Sequence, residues 1–228
     1  MEEEHLRGPA VNNLYIYCEG ATERTFVEDK LYPYLLPKGI AAFAVLAGDG
    51  RSRDKGGISG YHQVKRELTR LCREHPNGYV TTLIDYSPPL NVDFDYDQSG
   101  SISDQIANKE RGVEQDIGFE NLMMHFQQYE FEAIFFSCPD AFDGLGKNIS
   151  KTIRRIADEA GGPEFINTSP NSMPSKRLDK IIPGYRKTKV YHTQMLLEKM
   201  SLKEICSGCD HFRQWIERII RVCGEQPE

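Results

Sequence analysis

Several things are scarce in this chain of 228 residues. No apolar run approaches the roughly 18 residues needed to span a bilayer. The first residues, Met1-Glu2-Glu3-Glu4-His5, are acidic and lack an apolar core, so neither a signal peptide nor a membrane span is expected. Positive charge is in the minority: 28 Lys and Arg face 34 Asp and Glu, for a net charge of -6. That balance argues against an overall electrostatic grip on polyanions. It leaves room for a local basic cluster, and carboxylates that hold metal ions would themselves push the charge down. There is no P-loop, dinucleotide fingerprint or nucleophile elbow. His62, His75, His125, His192 and His211 are scattered, with no Ser or Cys partner evident. Internal repeats, low-complexity tracts and clear linkers are missing too.

What is present fits a cytoplasmic globular protein. The hydrophobic fraction is 39% and the charged fraction 27%, ordinary for a folded domain. The length can bury a substantial core without staples. In a reducing compartment the six cysteines stay as thiols, with Cys18, Cys72 and Cys138 in apolar, core-like contexts. Cys206 and Cys209 have the first spacing of a zinc site, with His211 and Cys223 nearby. A second matching pair is missing, so helix-boundary residues are the preferred reading.

Periodicity supplies the framework. Asn13–Cys18 is a short apolar and aromatic run, read as a buried strand. A helix follows, with Phe26, Val27, Lys30, Leu31 and Tyr34 at helical spacing. Ile40–Ala47 is a second strand and Gly48–Gly60 a loop. Tyr61–Glu74 is a helix with Val64, Leu68 and Leu71 inward. Tyr79–Ile84 is a third strand that ends at Asp85. Ser87–Ser101 is a loop, and Ile102–Gln127 reads as mostly helical. Ile149–Ala160 is a helix, Gly161–Ser175 a loop, and short helices follow. The last helix carries Phe212, Trp215, Ile216, Ile219 and Ile220. Strand, helix, strand, helix, strand predicts an α/β fold with a mainly parallel sheet. A single domain over 1–228 is expected, with a core at about 11–145 and a helical C-terminal part at about 146–228.

Ligands of such sheets gather beyond the carboxyl ends of the strands. Glu19 and Asp85 each stand at such an end, and the topology predicts that they share one edge. In Glu19-Gly20-Ala21-Thr22-Glu23 the two glutamates are four apart, near one face once a helix has begun. Adjacent carboxylates repel unless a cation or proton sits between them, and hard divalent ions take such oxygen ligands. The alternative is a cap at Glu19 and a solvated first-turn acid at Glu23, favoured by the helix dipole. Gly20 would let the chain turn sharply off the strand. Asp85 is either a partnered acid or a turn former. Glu130 and Glu132 interrupt the apolar stretch Tyr129–Ser137. They either line an exposed edge or add ligands. The basic residues Lys176, Arg177, Arg186, Lys187 and Lys189 could hold phosphate or form a solvated face. Asp93, Asp95 and Asp97 suggest a calcium loop, but Gln98 occupies the place of the required glycine.

The run Tyr15–Glu23 resembles the opening strand and turn of Toprim domains, especially those of overcoming-lysogenisation-defect type nucleases. The chain as a whole looks like the bacterial family known as domain of unknown function 4276. The matching pieces are the opening turn, Val80–Tyr86, Tyr129–Ser137, Pro163–Asn167, Pro174–Arg177, Pro183–Lys187 and Cys209-Asp210-His211-Phe212 with Trp215. The resemblance implies a Toprim-like fold and a Mg2+ (or Mn2+)-dependent nuclease, with a possible role in phage defence beside an ATPase partner. It implies Glu19, Glu23 and Asp85 as metal ligands, Glu19 and Asp85 being catalytic. Glu130 or Glu132 would replace the second acid of an Asp-x-Asp pair, where this chain has Ser87. Lys176 and Lys187 would act in catalysis, and Lys176, Arg177, Arg186 and Lys187 on phosphate. Two alternatives stand beside this. One is a non-catalytic or partner-dependent scaffold or sensor subunit, homo-oligomeric or bound to the ATPase. The other is a metal-dependent phosphatase or nucleotide hydrolase.

Overall fold

Side chains alternate along Asn12–Cys18, which makes this segment β1. Leu14, Ile16 and Cys18 enter one apolar layer, and Tyr15 and Tyr17 the other. The computed structural model describes residues 11–48, 57–86, 90–166 and 172–224. In it β1 lies between two parallel partners, β2 (Ile40–Leu46) and β3 (Tyr79–Asp85). The strand order is β2-β1-β3-β4, with β4 at Leu122–Met123, and a further short strand β5 (Phe126–Gln127) also pairs with β3. All the pairings are parallel. The register sets Cys18 against Leu83, so the strands end together and Glu19 and Asp85 emerge at one edge.

The helix after β1 runs through α1 (Ala21–Phe26), a wide π turn (Val27–Leu31) and α2 (Tyr32–Leu35). Pro33 in α2 has no N–H to give back to the preceding turn, and such irregular turns are common where the hydrogen-bond ladder is interrupted. One face of the sheet is covered by α3 (Tyr61–Glu74) and α4 (Ile102–Ile117), which bury Val64, Leu68 and Val113. The other carries α1, a 3₁₀ segment (Phe131–Ser137) and the C-terminal helices. These are α5 (Ile149–Ala160), α6 (Pro174–Ile181), α7 (Lys189–Lys199), α8 (Leu202–Gly208) and α9 (Asp210–Cys223).

The expected long helix over Ile102–Gln127 is corrected. Ser101 caps α4, its hydroxyl accepting the Asp104 N–H while Asp104 accepts the Ser101 N–H. The helix stops at Ile117 because Gly118 adopts a left-handed φ of 73° and closes the last turn. The chain then forms β4 (Leu122–Met123) and β5 (Phe126–Gln127). Both pair with β3 in one continuous register, Val80 to Leu122 and Ile84 to Phe126. At the break between them the Thr82 hydroxyl donates to the His125 carbonyl at 2.6 Å and accepts the His125 N–H at 2.8 Å. A side chain thus replaces a rung of the ladder.

The C-terminal helices share the main core. Ile153, Leu196, Phe212 and Ile219 pack in the same layer as Leu14 and Phe26. The Trp215 indole N–H donates to Thr81 Oγ1 at 2.9 Å, and the Asn12 amide donates to the Cys223 carbonyl at 2.9 Å. Among the described residues, no helix is long and apolar enough to cross a membrane.

Replacing Thr82 with valine keeps the shape but strands the buried His125 N–H and carbonyl. Urea unfolding should show a loss of about 2–3 kcal/mol, read as a lower midpoint at unchanged slope.

Candidate functional site

The carboxyl edge of β1 and β3 gathers acids from three parts of the chain. The Glu19 N–H donates to the Leu83 carbonyl at 3.3 Å, which continues the sheet by one residue. The Glu19 carboxylate accepts the Asp85 N–H, so the ends of β1 and β3 are tied side chain to backbone. Asp85 keeps part of its surface in solvent, but its carboxylate is enclosed, and Oδ1 accepts the Phe131 N–H at 2.6 Å. Glu23 is 8% exposed, and its Oε2 accepts the Gly20 N–H at 3.0 Å. Glu23 is therefore a buried acid folded back over the turn, not a solvated first-turn residue.

Gly20 plays a different part from the one expected of it. Its backbone is extended, with φ at -150°, which any residue can adopt. What glycine provides is room: a Cβ there would stand 3.3 Å from Glu23 Oε2.

Glu130 and Glu132 arrive by a strained turn. Tyr129 takes φ 66°, a left-handed value that bulky side chains rarely adopt. The turn leads the chain from β5 into the 3₁₀ segment. Glu132 is 2% exposed, which overturns the exposed-edge reading. Its Oε1 is in direct ion-pair contact with Lys189 Nζ. Glu130 is engaged elsewhere. It accepts the Ser175 N–H at 2.8 Å and the Ser175 hydroxyl at 3.0 Å, and so caps the start of α6.

Electrostatics ties the group together. Burial raises Glu19 above the usual carboxylate range, and Glu132 adds to it, against the Asp85 N–H and Lys189. Glu23 is pushed up to about 7, first by burial and then by Glu132 and Glu19. Asp85 is driven well up by burial, then by Glu23, Glu132 and Glu19. Burial pulls Lys189 down, but Glu132, Glu23 and Asp85 outweigh it and hold the ammonium above its ordinary value. Burial likewise raises Tyr185, helped by Glu132, Glu23 and Glu130. Its hydroxyl lies beside Thr193 with no aligned hydrogen bond.

The predicted cations are distributed differently. Arg186 and Lys187 are exposed, and Lys176 is half-buried. Arg177 spends its Nε on the Ser172 carbonyl. Among the described residues, Lys189 is the cation that reaches the acids. Its signal was helical spacing: Lys189 shares a face with the buried Thr193, Leu196 and Leu197 of α7. Ser87 lies outside the described residues. Asp97 turns onto the Ser99 N–H, and Asp93 faces His62 at 3.6 Å. Cys209 and Cys223 are buried in the apolar core, while His211 turns away towards Glu110 and Phe126.

Among the described residues, one trio of Glu, Asp, His or Cys has its ligand atoms within 4.8 Å of one another: Glu110, His125 and His211. The edge acids form no trio so tight, as expected of like charges that repel. The donor set at the edge is nonetheless all carboxylate, of the kind a hard divalent ion takes. Among the described residues, Glu19, Glu23, Asp85 and Glu132 meet one ammonium there. That chemistry fits a divalent cation.

Fold and site together define a parallel α/β protein with a desolvated carboxylate cluster at the carboxyl edge of its sheet. The chain belongs to the family described as Domain of unknown function (DUF4276), whose model matches residues 18–220. No curated protein and no solved structure matches it.

The raised acids fix a pH dependence. A group with a raised folded pKa supports folding fully below its unfolded value, about 4.3 for Glu, and that support is lost as pH climbs through the folded value, about 7 for Glu23. In the presence of a chelator the protein should therefore melt lower at pH 8 than at pH 5. Glu23→Gln should recover on the order of 2 kcal/mol at pH 8 and little at pH 5, as read by thermal unfolding at both pH values.

Proposed function

We propose that the carboxylate cluster is a divalent-cation site, with Mg2+ or Mn2+ as the ion, in a hydrolase that cuts phosphodiester bonds in nucleic acid. The observation that carries this reading is the charge imbalance. Four desolvated carboxylates, Glu19, Glu23, Asp85 and Glu132, share one ammonium among the described residues, that of Lys189. A second positive charge would relieve their mutual repulsion, which adds to burial in raising Glu23 to about 7. The likeness of Tyr15–Glu23 to the first strand and turn of Toprim nucleases supports the choice of nucleic acid as substrate.

In this reading Glu19, Glu23, Asp85 and Glu132 hold the ion. A bound divalent cation supplies water activation and screening of phosphate charge. The chain's own residues do the rest. The Phe131 N–H fixes one Asp85 oxygen and leaves the other free to ligate. Glu130 holds the start of α6 beside the site through Ser175. Lys189, already in contact with Glu132, stands ready to turn its charge towards a phosphate oxygen. The protein would work in the cytoplasm, with an ATPase as partner.

Plasmid DNA and RNA incubated with Mg2+ or Mn2+ should be cleaved by the wild type. Glu19→Ala and Asp85→Ala should each lose roughly 100-fold or more. Lys189→Ala should cost more than Lys176→Ala or Lys187→Ala. Equal activity in wild type and both acid variants, or none in any of them, counts against the reading. Turnover of small phosphoesters with nucleic acid untouched would point to a phosphatase instead.

A further inference from the structure

A second group of ligating side chains lies away from the carboxylate cluster, on the free edge of the sheet. There, among the described residues, β4 and β5 have no strand beyond them, and α4 and α9 supply side chains in place of one. Glu114 accepts the Met124 N–H and Glu110 the Phe126 N–H, each at 2.7 Å. His211 Nε2 meets the Phe126 carbonyl at 3.0 Å. Covering the edge explains Glu110 and His211 singly. It does not explain why His125 turns its Nδ1 to the same Glu110 oxygen.

The distances fit a tetrahedral ion. Glu110 Oε1 is 3.6 Å from His125 Nδ1 and 3.6 Å from His211 Nε2, and the three atoms lie within 4.8 Å of one another. Zinc at roughly 2.0–2.1 Å from nitrogen and oxygen ligands separates those ligands by about 3.4 Å. Closing the set requires the His211 ring to turn, because it lies nearly parallel to the His125 ring, at 22° with centres 5.0 Å apart, and its Nε2 faces the Phe126 carbonyl. We propose that Glu110, His125 and His211 form a binding site for a zinc-type divalent transition ion, independent of the carboxylate cluster and of any activity there. Two imidazoles and one carboxylate are the ligand types that suit zinc and its neighbours better than magnesium.

The surroundings supply what such a site needs. His125 is 2% exposed and stacks on Trp215 with ring centres 4.5 Å apart, so its ring is fixed. Its backbone is held at both N–H and carbonyl by Thr82. Its other nitrogen, Nε2, lies by the Gln127 amide, and neither has an aligned hydrogen bond. An outer partner of that type orients a ligating imidazole. Glu110 and both histidines also line an open cleft of about 470 Å³, together with Ser103 and Arg218. The fourth ligand position therefore has access to water or a small anion. His211 Nε2 now donates to the Phe126 carbonyl. Ligation through Nε2 moves that proton to Nδ1 when the ring is neutral, and releases one to solvent only when the ring starts as imidazolium.

Trp215 is the chain's one tryptophan, and its contact with His125 makes it a reporter. The full-length protein is stripped with a chelator and titrated with Co2+ and then Zn2+. The Co2+ that gives visible bands of tetrahedral type and quenches Trp215 fluorescence should saturate at one per chain, apart from any ion at the carboxylate cluster, and Zn2+ should displace it. Glu110→Gln keeps an oxygen for the Phe126 N–H, and His211→Gln keeps a donor for its carbonyl, so both variants should fold, as checked by circular dichroism. Each should weaken Co2+ binding at least about tenfold, whereas Glu19→Ala should leave the bands and the quenching unchanged. Three results would overturn the proposal: no Co2+ bands in the wild type, bands that survive in both ligand variants, or bands lost in Glu19→Ala. Lower melting temperatures in the variants with metal binding intact would leave edge covering as the sole role of these residues.

Discussion

Carboxylates taken out of water in company raise one another's proton affinity until a positive charge arrives. That constraint organises this molecule. The parallel pairing of β1 with β3 ends both strands at one level, which sets Glu19 against Asp85. The missing side chain of Gly20 lets Glu23 fold back onto the same spot. The left-handed turn at Tyr129 then brings Glu132 in from β5. The counter-charge comes from Lys189 at the start of α7, far along the chain. The C-terminal helices therefore do more than cover a sheet face. They complete the apolar layer and deliver, among the described residues, the ammonium that the acids share.

The free edge of the sheet poses a different problem, that of unpaired backbone groups. Here it is answered by side chains. Glu114 and Glu110 accept the outward N–H groups of Met124 and Phe126, and His211 takes the Phe126 carbonyl. Thr82 bridges the break between β4 and β5 from the inner side. The edge is thus bound on both sides by polar groups with fixed directions. Fixed polar groups of mixed type, carboxylate and imidazole, are also what a metal ligand set consists of. The two demands meet at Glu110, whose Oε1 faces a backbone N–H and two rings at once.

Periodicity failed in one place for a plain reason. Residues 102–127 continue an apolar rhythm past Ile117, and a rhythm alone does not separate a helix from short strands on an edge. The stop is Gly118, whose left-handed φ breaks the helix, and the residues after it complete a sheet that was not visible locally. The basic runs misled in a similar way. Arg186 and Lys187 are as prominent in sequence as Lys189, yet only the last shares a helix face with Thr193, Leu196 and Leu197 and is carried inward.

Sequence by itself determined the parallel α/β class, the approximate ends of the first three strands, and the placing of Glu19 and Asp85 at one edge. These follow from local spacing and from a topology rule that needs no coordinates. That Glu23 folds back to join them was decided by the structure. Tertiary structure alone decided that Glu130 is a cap while Glu132 is a buried ion-pair partner, two residues apart in the same stretch. It alone selected Lys189, and it alone brought His125 to His211 with Glu110 between them. Those outcomes depend on the direction in which a side chain leaves a turn and on contacts between segments some 15 to 100 residues apart. Hydrophobic period and residue type carry neither.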